Sequence, residues 1–270
     1  MVSLEKVFTK GWLSGSLWDM AGRAQVITLI GGGGKTTCLR SLTREIDAAG
    51  LQVVATTTTK VFPEENMKIW KNPCCPPLRE QRGAWFWHAH AEVESGKWVG
   101  PSLKVVDQIL AEDPPLERFW VVEGDGARER MLKCWGPHEP QIPARSDCVV
   151  LVLDGSLWGR DLQADQVHRP EHCLELIGRV WKAESAWSYF LKSPVFALQY
   201  QQMSWVILLN CHGGNVENED MVKPMELLRD LRHRWAEFEQ KSVDPKNRPR
   251  HLRIAAGDAK EGKLQWYDLW

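Results

Sequence analysis

A glycine-rich segment between residues 30 and 37 has the residue types of a phosphate-binding loop. It reads Ile30-Gly-Gly-Gly-Gly-Lys35-Thr36-Thr37 and lies between a β-branched apolar run and a helical pattern. Glycines let successive backbone N–H groups turn onto phosphate oxygens, and the helix N-terminus adds the positive end of its dipole. Lys35 would place a charge between the β- and γ-phosphates, and the Thr36 hydroxyl would bind Mg²⁺. The predicted nucleotide-binding residues are Gly31, Gly32, Gly33, Gly34, Lys35, Thr36 and Thr37.

The spacing of this loop is shorter than the standard phosphate-loop pattern, because Leu29 stands where that pattern has a glycine. The form G-x-x-G-K-T-T resembles the loop of Mur ligases and folylpolyglutamate synthases, which are ATP-binding α/β proteins. A dinucleotide-binding loop would need a third glycine where Thr36 or Thr37 stands. The loop therefore indicates a nucleoside triphosphate, either ATP or GTP. We favour ATP, since Cys-His-Gly-Gly at 211–214 gives no support for a guanine-reading motif.

Two carboxylates follow an apolar run in the segment Phe119-Trp-Val-Val-Glu123-Gly-Asp125-Gly126. A strand of this kind presents an acid beside the phosphate loop in phosphate-loop enzymes. Glu123 would orient Mg²⁺ or its water. Asp125 points to the same side if the strand geometry continues, and it could bind metal or accept a proton. We predict Lys35, Glu123 and Asp125 as catalytic residues, and Thr36 with Glu123 as the Mg²⁺ ligands.

A run of four threonines and a lysine, from Thr56 to Lys60, follows the next apolar segment. Hydroxyl groups and a cation suit an anion or a metal-bound water, which predicts Thr57, Thr58, Thr59 and Lys60 as substrate-binding residues. Threonine also favours strands, so the run is open to a second interpretation as a strand end without a ligand.

These segments need a scaffold that brings them together, and the hydrophobic pattern predicts one. An apolar run at 25–30, a helix over 37–48 and a second buried run at 51–55 form a βαβ unit. Such a unit implies a parallel sheet with a right-handed crossover. The predicted fold class is therefore α/β, with a P-loop NTPase-like, mostly parallel sheet flanked by helices.

The rest of the chain continues this pattern and contains one irregular stretch. Further strands are predicted at 118–123, 148–154, 205–210 and 250–256, and amphipathic helices at 170–182 and 219–240. The proline-rich stretch at about 60–115 reads as an insertion, with a β-hairpin over 84–99 around Ser95-Gly96. We expect a single P-loop α/β domain over residues 1–270 that carries this insertion.

Composition limits the classes of partner. The chain has 270 residues, 43% of them hydrophobic, which is enough to bury a full core. Lys and Arg number 34 against 35 Asp and Glu, so the net charge of −1 provides no broad cationic field. We expect a small polar substrate, with no nucleic acid and no membrane as partner. The first residues show no signal-peptide pattern, which favours a cytoplasmic location.

Cysteine and histidine patterns argue against structural zinc. The seven cysteines are an odd number and contain no CxxC pair, which predicts mostly reduced thiols and no disulfide framework. The segment His168-Arg-Pro-Glu-His172 has the residue spacing of the H-x-x-E-H zinc-binding pattern. Pro170, however, would start the predicted helix and leave His168 outside it, so the two histidines would not share one helix face.

Beyond the loop itself, an ordered series of motifs resembles the YqeC family, accessory proteins assigned to the maturation of selenium-dependent molybdenum hydroxylases. The matching motifs are Gly31–Thr37, Thr56–Lys60, Glu123–Arg128, Lys133, the run 138–143 and the run 167–171. Members often have Ala at Gly32 and Gly124, and we expect either change to be tolerated. Cationic or switchable groups in these motifs could hold an anionic second substrate near the γ-phosphate. The predicted substrate-binding residues here are Arg128, Lys133, His138, Glu139, His168 and Arg169.

The resemblance implies a role in making a selenium- or molybdenum-containing cofactor. We expect an Mg²⁺-dependent protein that binds and hydrolyses a nucleoside triphosphate, with phosphoryl transfer or substrate activation as its chemistry. The implied partners are a selenium or molybdopterin species and a molybdenum hydroxylase client. Two alternatives stay open: a nucleotide-gated delivery or insertion chaperone without transfer chemistry, and an ATP-dependent ligase of the Mur type.

Overall fold

The computed structural model describes residues 11–64, 66–114, 117–211, 223–242 and 245–270. Fifteen strands are present in this part of the chain. In chain order they are β1 (Leu13–Gly15), β2 (Val26–Gly31), β3 (Val53–Thr57), β4 (Lys60–Val61), β5 (Lys68–Lys71), β6 (Ala84–His88), β7 (His90–Ala91), β8 (Trp98–Val99), β9 (Phe119–Glu123), β10 (Leu132–Lys133), β11 (Cys148–Asp154), β12 (Val167–His168), β13 (Ser204–Asn210), β14 (His251–Asp258) and β15 (Lys263–Asp268).

Five α-helices accompany these strands in the described ranges. They are α1 (Leu17–Met20), α2 (Lys35–Ala48), α3 (Leu103–Glu112), α4 (Ala183–Lys192) and α5 (Pro224–Ser242). The helix predicted from residue 219 begins at Pro224 in the structure, while residues 212–222 lie outside the described residues. None of the helices described is both long and apolar enough to cross a membrane.

Ten of the strands form one large sheet, in the order β1-β15-β14-β13-β11-β2-β9-β3-β6-β5. From β14 to β5 each strand runs parallel to its neighbours, while β15 and β1 add an antiparallel edge. The inner strands are almost entirely apolar and buried, as expected for strands covered on both faces. The prediction of an α/β fold with a large, mostly parallel sheet flanked by helices is confirmed.

Alternation along each strand divides the core between the two faces of the sheet. On β2, Ile27 and Leu29 pack in the cluster that contains the buried residues of α1 and α2. Val26 and Ile30 point to the opposite face, where α3, α4 and α5 cover the sheet. Because parallel strands place their carboxyl ends at one edge, the ends of β2, β9, β3 and β11 meet there. This edge collects the predicted site.

The predicted helix over 170–182 was wrong. The segment forms short 3₁₀ turns at Pro170–His172 and Leu174–Leu176, and the α-helix begins only at Ala183. Gly178 has a φ of 77°, a left-handed conformation that an α-helix does not continue. The apolar spacing reflects the burial of Leu176 in the core and not a helical face.

The stretch predicted as an insertion contributes to the main sheet. β6 pairs in parallel with β3, and β5 pairs in parallel with β6. Together they add two strands to the main sheet. The hairpin is confined to β7 and β8, and β8 also pairs with β4 in a separate three-stranded sheet. Phe86 and Trp87 point to opposite faces of the sheet and pack in its two cores, which ties β6 to the domain. The division of the chain into domains stays a prediction.

One disulfide joins Cys134 to Cys173, which the sequence patterns did not predict. The two residues are 39 positions apart and have no CxxC or other spacing signal. The free cysteines of the described part are Cys38, Cys74, Cys75, Cys148 and Cys211. The expectation of mostly reduced thiols therefore agrees with the structure, with this pair as the exception.

Candidate nucleotide and substrate site

The glycine-rich loop leaves β2 and enters α2 through a left-handed backbone. Gly31, Gly33 and Gly34 have φ values of 100°, 59° and 106°, which side chains with a Cβ rarely adopt. Gly34 is the N-cap of α2, and the helix begins at Lys35. The strand–loop–helix context predicted from the sequence is present.

The loop also runs against the end of β11 without space for side chains. A Cβ at Gly31 would lie 2.4 Å from the carbonyl oxygen of Val152, and one at Gly33 would lie 2.2 Å from the amide nitrogen of Asp154. A Cβ at Gly32 would lie 2.7 Å from the backbone of Arg130 and Met131. In this arrangement the expected tolerance of alanine at Gly32 is wrong, since main-chain atoms must move to accept it.

Three loop amides are bonded inside the protein. The Gly31 N–H donates to both carboxylate oxygens of Asp125 at 3.1 and 3.0 Å, Gly32 donates to the Val152 carbonyl at 2.9 Å, and Gly33 donates to the Arg130 carbonyl at 3.1 Å. For the amides from Gly34 to Thr37, the described part of the chain shows no main-chain or side-chain acceptor. These last amides lie at the N-terminus of α2, where an anion is favoured. The phosphate-binding donors are therefore expected at 34–37, with the first three glycines shaping the turn.

Lys35 is 5% exposed and folded back against the loop. Its Nζ lies 3.1 Å from an oxygen of Asp125 and 3.9 Å from an oxygen of Glu123, and it donates a hydrogen bond to the Gly31 carbonyl. Burial alone would lower the pKa of Lys35, but attraction by Asp125 and Glu123 outweighs burial and raises it. The ammonium group is thus held in its charged form beside the open amides.

Asp125 lies behind the loop with no exposed surface. Besides the Gly31 amide and Lys35, its carboxylate accepts a hydrogen bond from Trp135 Nε1 at 2.7 Å and lies 3.7 Å from Lys133 Nζ. All of these contacts are to groups of the protein, and Asp125 does not line the cavity described below. The geometry matches a residue that positions the phosphate loop, whereas the sequence predicted an acid or base facing the substrate.

Glu123 is the acid that faces outward. It is 6% exposed and lies on the wall of the cavity described below, which Thr36 also lines. Burial raises the pKa of Glu123, and the Asp125 charge adds to this rise against the attraction of Lys35. Across the described residues no cluster of three or more His, Cys, Asp or Glu could hold a metal. A carboxylate and a hydroxyl suit Mg²⁺, which takes its remaining ligands from phosphates and water.

An open cavity of about 750 Å³ lies over the loop at the carboxyl edge of the sheet. It brings together predicted residues from five separate segments. Those on its wall are Gly32, Gly33, Gly34, Lys35, Thr36, Thr59, Lys60, Glu123, Arg128, Glu139, His168 and Arg169. The segments are far apart in sequence, so their convergence was a prediction that only the fold could test.

Other predicted residues do not line this cavity. Thr57 and Thr58 turn their hydroxyls to main-chain carbonyls, at 3.1 Å from Glu123 O and 3.1 Å from Gln141 O respectively. They tie β3 to the end of β9, in line with the structural interpretation of the threonine run. Lys133 is fully buried beneath the wall, and His138 is exposed outside it. Gly31, Thr37 and Asp125 are likewise not on the cavity wall.

Comparison with known proteins finds a family that shares these motifs. The sequence profile described as YqeC protein matches residues 27–171, more than half of the chain. The chain belongs to the YqeC family. All the motifs that carried the resemblance lie within the matched range.

One relative is the uncharacterised protein YqeC of Escherichia coli (strain K12), which is 31% identical over 160 residues. The alignment covers 58% of this chain and 62% of the relative, so the match spans less than two thirds of that protein. No solved structure matches this chain. The phosphate-loop interpretation of this YqeC-family chain therefore depends on its own geometry.

Several residues on the wall were missed by sequence reasoning. Arg40 comes from the second turn of α2, Phe62 follows β4, Lys97 precedes β8, and Arg130 lies in the loop after β9. Lys97 Nζ lies 4.5 Å from the centre of the Phe62 ring. In the sequence these are isolated side chains without a spacing signal. Arg40 alone was within reach, because it follows Lys35 on the same helix.

Two arginines of the predicted substrate group occupy strained backbone at the cavity. Arg128 and Arg169 have φ values of 49° and 61°, in the left-handed region where non-glycine residues are uncommon. Arg169 lies 3.4 Å from Glu139, and that carboxylate also pairs with Lys133 at 3.0 Å. Burial, followed by repulsion from Lys133, lowers the pKa of His168, so its ring is held neutral between these groups. The cavity wall thus carries the cations Lys60, Lys97, Arg128, Arg130 and Arg169 together with the carboxylates of Glu92, Glu129 and Glu139.

Asn210 is a further residue that the sequence did not single out. Its side-chain amide donates to the Gly33 carbonyl at 3.0 Å, and its oxygen accepts from the Ala259 amide at 3.1 Å. The residue ends β13, where a guanine-reading motif would begin in related families. Here one of its roles is to fix the loop to β14.

Proposed function

We propose that this protein binds a nucleoside triphosphate with Mg²⁺ at the loop 31–37 and hydrolyses or transfers its terminal phosphoryl group. The observation that supports this most is the set of open amides at the start of α2. They face a cavity whose wall also carries Lys35, Thr36 and Glu123. Main-chain donors, a buried cation and a carboxylate at one point are the groups that phosphoryl transfer requires. ATP is the favoured nucleotide.

Each residue has a role that follows from its place. The amides at 34–37 would bind the phosphate oxygens, and Lys35 would exchange its hydrogen bond to the Gly31 carbonyl for one to phosphate. Thr36 and Glu123 would hold Mg²⁺, which neutralises charge on the phosphates when bound. Asp125 would keep the Gly31 amide and Lys35 in place without touching the substrate.

Cationic side chains on the cavity wall support an anionic second substrate. Arg128 and Arg169 line the same cavity as the loop, together with Lys60 and Thr59. Guanidinium groups bind oxyanions through paired N–H donors. An anionic acceptor held there would lie next to the terminal phosphate. Through the family resemblance we propose a selenium or molybdopterin species as this acceptor, in the maturation of a molybdenum hydroxylase.

A direct experiment measures binding and hydrolysis of ATP and GTP by the purified chain with and without Mg²⁺, and identifies the product formed with selenide or a molybdopterin nucleotide. Lys35→Ala and Thr36→Val are compared with wild type, with Lys104→Ala on the exposed face of α3 as the control. We expect Lys35→Ala to lower hydrolysis at least 100-fold, since one lost charge-stabilising contact costs about 2.7–4 kcal/mol.

Thr36→Val guards against a folding artefact, because Thr36 is exposed and valine keeps its shape while removing the hydroxyl. It should bind nucleotide and lose the Mg²⁺ dependence. Hydrolysis that survives in both variants, at the level of Lys104→Ala, would rule out this site. Nucleotide binding whose hydrolysis requires an apo-hydroxylase and yields no modified small molecule would favour the delivery chaperone, and an acyl-phosphate product would favour the ligase.

A further inference from the structure

The disulfide between Cys134 and Cys173 lies on the wall of a second cavity that adjoins the one over the loop. Cys134 follows β10, and Cys173 follows the turn after β12; these strands pair in parallel and carry Lys133 and His168. Both cysteines line this second cavity of about 410 Å³, which shares Glu139 with the cavity over the phosphate loop. Each cysteine is 4% exposed, and this cavity is the space through which a small reagent would approach the pair.

A short series of contacts connects the disulfide to the phosphate loop. Trp135, next to Cys134, donates through Nε1 to Asp125 at 2.7 Å. The same carboxylate receives the Gly31 amide at 3.1 and 3.0 Å and pairs with Lys35 at 3.1 Å. The position of Trp135 therefore bears directly on the residue that holds the loop and its lysine.

Trp135 is kept in place from two sides. Its ring stacks on Tyr189 with the ring centres 5.9 Å apart, and the Tyr189 hydroxyl donates to the Lys133 carbonyl at 2.7 Å. On the other side the Cys134 amide donates to the His168 carbonyl at 3.0 Å, and the disulfide fixes the two segments covalently. Breaking the S–S bond removes the covalent restraint on the residue adjoining Trp135.

We propose that Cys134–Cys173 is a thiol-exchange site for low-molecular-weight thiols, and that its redox state sets how firmly Asp125 holds the phosphate loop. The thiolate of one small thiol attacks a sulfur of the pair, forms a mixed disulfide and releases the other cysteine as a thiolate. A second thiolate attacks the mixed disulfide, which yields the small-molecule disulfide and the second cysteine thiolate. Two thiols thus lose two electrons, the cysteine pair gains them, and the reverse reaction restores the bond.

In the cytoplasm, the location that the sequence favours for this chain, disulfides are usually transient or redox-sensing, which fits a pair beside the glycine-rich loop better than a structural staple. In the oxidised form Trp135 and Asp125 hold Gly31 and Lys35 in the arrangement seen here. In the reduced form residues 134–136 gain freedom, and the loop amides exchange more readily with solvent. The consequence for nucleotide affinity rests on the proposed function, whereas the consequence for loop dynamics does not.

The test compares the full chain oxidised with glutathione disulfide and reduced with dithiothreitol. Alkylation followed by peptide mass spectrometry reports which thiols change, and hydrogen exchange of the peptide containing residues 31–37 reports the loop. Affinity for a non-hydrolysable ATP analogue with Mg²⁺ is measured in the same samples. The variant pair C134S/C173S is compared with C74S/C75S, which removes two exposed free cysteines.

We expect reduction to expose Cys134 and Cys173 to alkylation, to speed exchange of the loop amides and to weaken nucleotide binding roughly five- to tenfold. C134S/C173S should show the reduced behaviour in both buffers, and C74S/C75S should respond like wild type. Faster loop exchange on reduction in a protein that binds no nucleotide would support the coupling and reject the proposed function. The proposal would be overturned if glutathione disulfide and dithiothreitol did not interconvert the two forms of the cysteine pair. It would also be overturned if hydrogen exchange of residues 31–37 were the same in the oxidised and the reduced protein.

Discussion

At the scale of single residues, the chemistry of this site depends on a buried charge cluster. Asp125 is in contact with Lys35, Lys133, Trp135 and the Gly31 amide, and none of its surface reaches solvent. Removing one member of a buried ion-pair cluster is costly, because the remaining charges stay desolvated and lose a partner. The cluster therefore stabilises the fold only while all of its members are present. It also links the stability of the domain to the shape of the phosphate loop.

Asp125→Asn is predicted to lower the free energy of unfolding by about 3–5 kcal/mol, because Lys35 loses its nearest buried counter-charge and Lys133 keeps only Glu139. Urea denaturation at neutral pH measures this loss. Asp161→Asn, at an exposed position, provides the comparison and should change stability by less than about 0.5 kcal/mol. Equal effects of the two substitutions on the free energy of unfolding would show that the buried cluster does not stabilise the fold.

Two glycines with similar backbone angles separate conformational strain from steric conflict. Gly33 has a φ of 59° and its Cβ would meet the Asp154 amide at 2.2 Å, whereas Gly22 has a φ of 66° and its Cβ would meet nothing within 4 Å. Gly22→Ala should cost about 1 kcal/mol from its backbone angle alone. Gly33→Ala should cost more and weaken nucleotide binding at least tenfold, which calorimetric titration and thermal unfolding would measure. An alanine at 33 that binds nucleotide normally would show that this loop geometry is not required.

At the scale of elements, the stretch between β3 and α3 decides how the sheet is built. The sequence predicted an insertion there, and the structure places β5 and β6 at the parallel edge of the main sheet. Trp87 on β6 is fully buried, packs against Trp120 and donates its indole N–H to the Asn72 carbonyl at 2.8 Å. This part of the chain should therefore unfold together with the domain.

Trp87→Ala is predicted to lower the free energy of unfolding by about 3–5 kcal/mol, the usual cost of removing a large buried aromatic side chain. Val93→Ala tests the same stretch where it is peripheral, because Val93 is 99% exposed in the β7–β8 connection and should cost almost nothing. Chemical denaturation followed by far-UV circular dichroism compares the two. A small effect of Trp87→Ala would indicate a separately folding insertion.

At the scale of the whole molecule, partly buried histidines make stability depend on pH. Burial lowers the pKa of His88, His168 and His251 below the ordinary value of 6.5. Above that value both folded and unfolded chains are neutral at these positions. As the pH falls below it, the unfolded chain takes up protons first, so the folded state loses stability until its own histidines titrate.

We therefore predict that the free energy of unfolding falls as the pH is lowered from 7 through the range just below 6.5. Urea denaturation at several pH values measures the slope. His88→Gln should reduce the slope, because its ring is stacked on Trp98 with 4.5 Å between ring centres and is shielded from solvent. His138→Gln, at an exposed position, should leave it unchanged. A flat profile in the wild type would contradict the burial argument.

Local sequence patterns predicted much of the fold and the residues at the centre of the candidate site. The β2–loop–α2 unit, the acidic end of β9 and the strands at β11, β13 and β14 follow from apolar runs and glycine spacing, which act over a few residues. The segment from Pro170 to Lys182 was misassigned, because its apolar spacing suggests a helix while Gly178, with a φ of 77°, interrupts it. β6 was assigned to a hairpin, since its pairing with β3 depends on residues far away in the chain.

The sequence by itself determined that a glycine-rich loop, an acidic strand end and a set of cationic motifs exist, because each is a local pattern of residue types. Only the tertiary structure decided which of them face one cavity. It directed Glu123 outward and sealed Asp125, Lys133 and the first loop amides inside, and it joined Cys134 to Cys173. The physical reason is that burial and pairing depend on which distant segments share an edge of the sheet, and neither composition nor spacing records that.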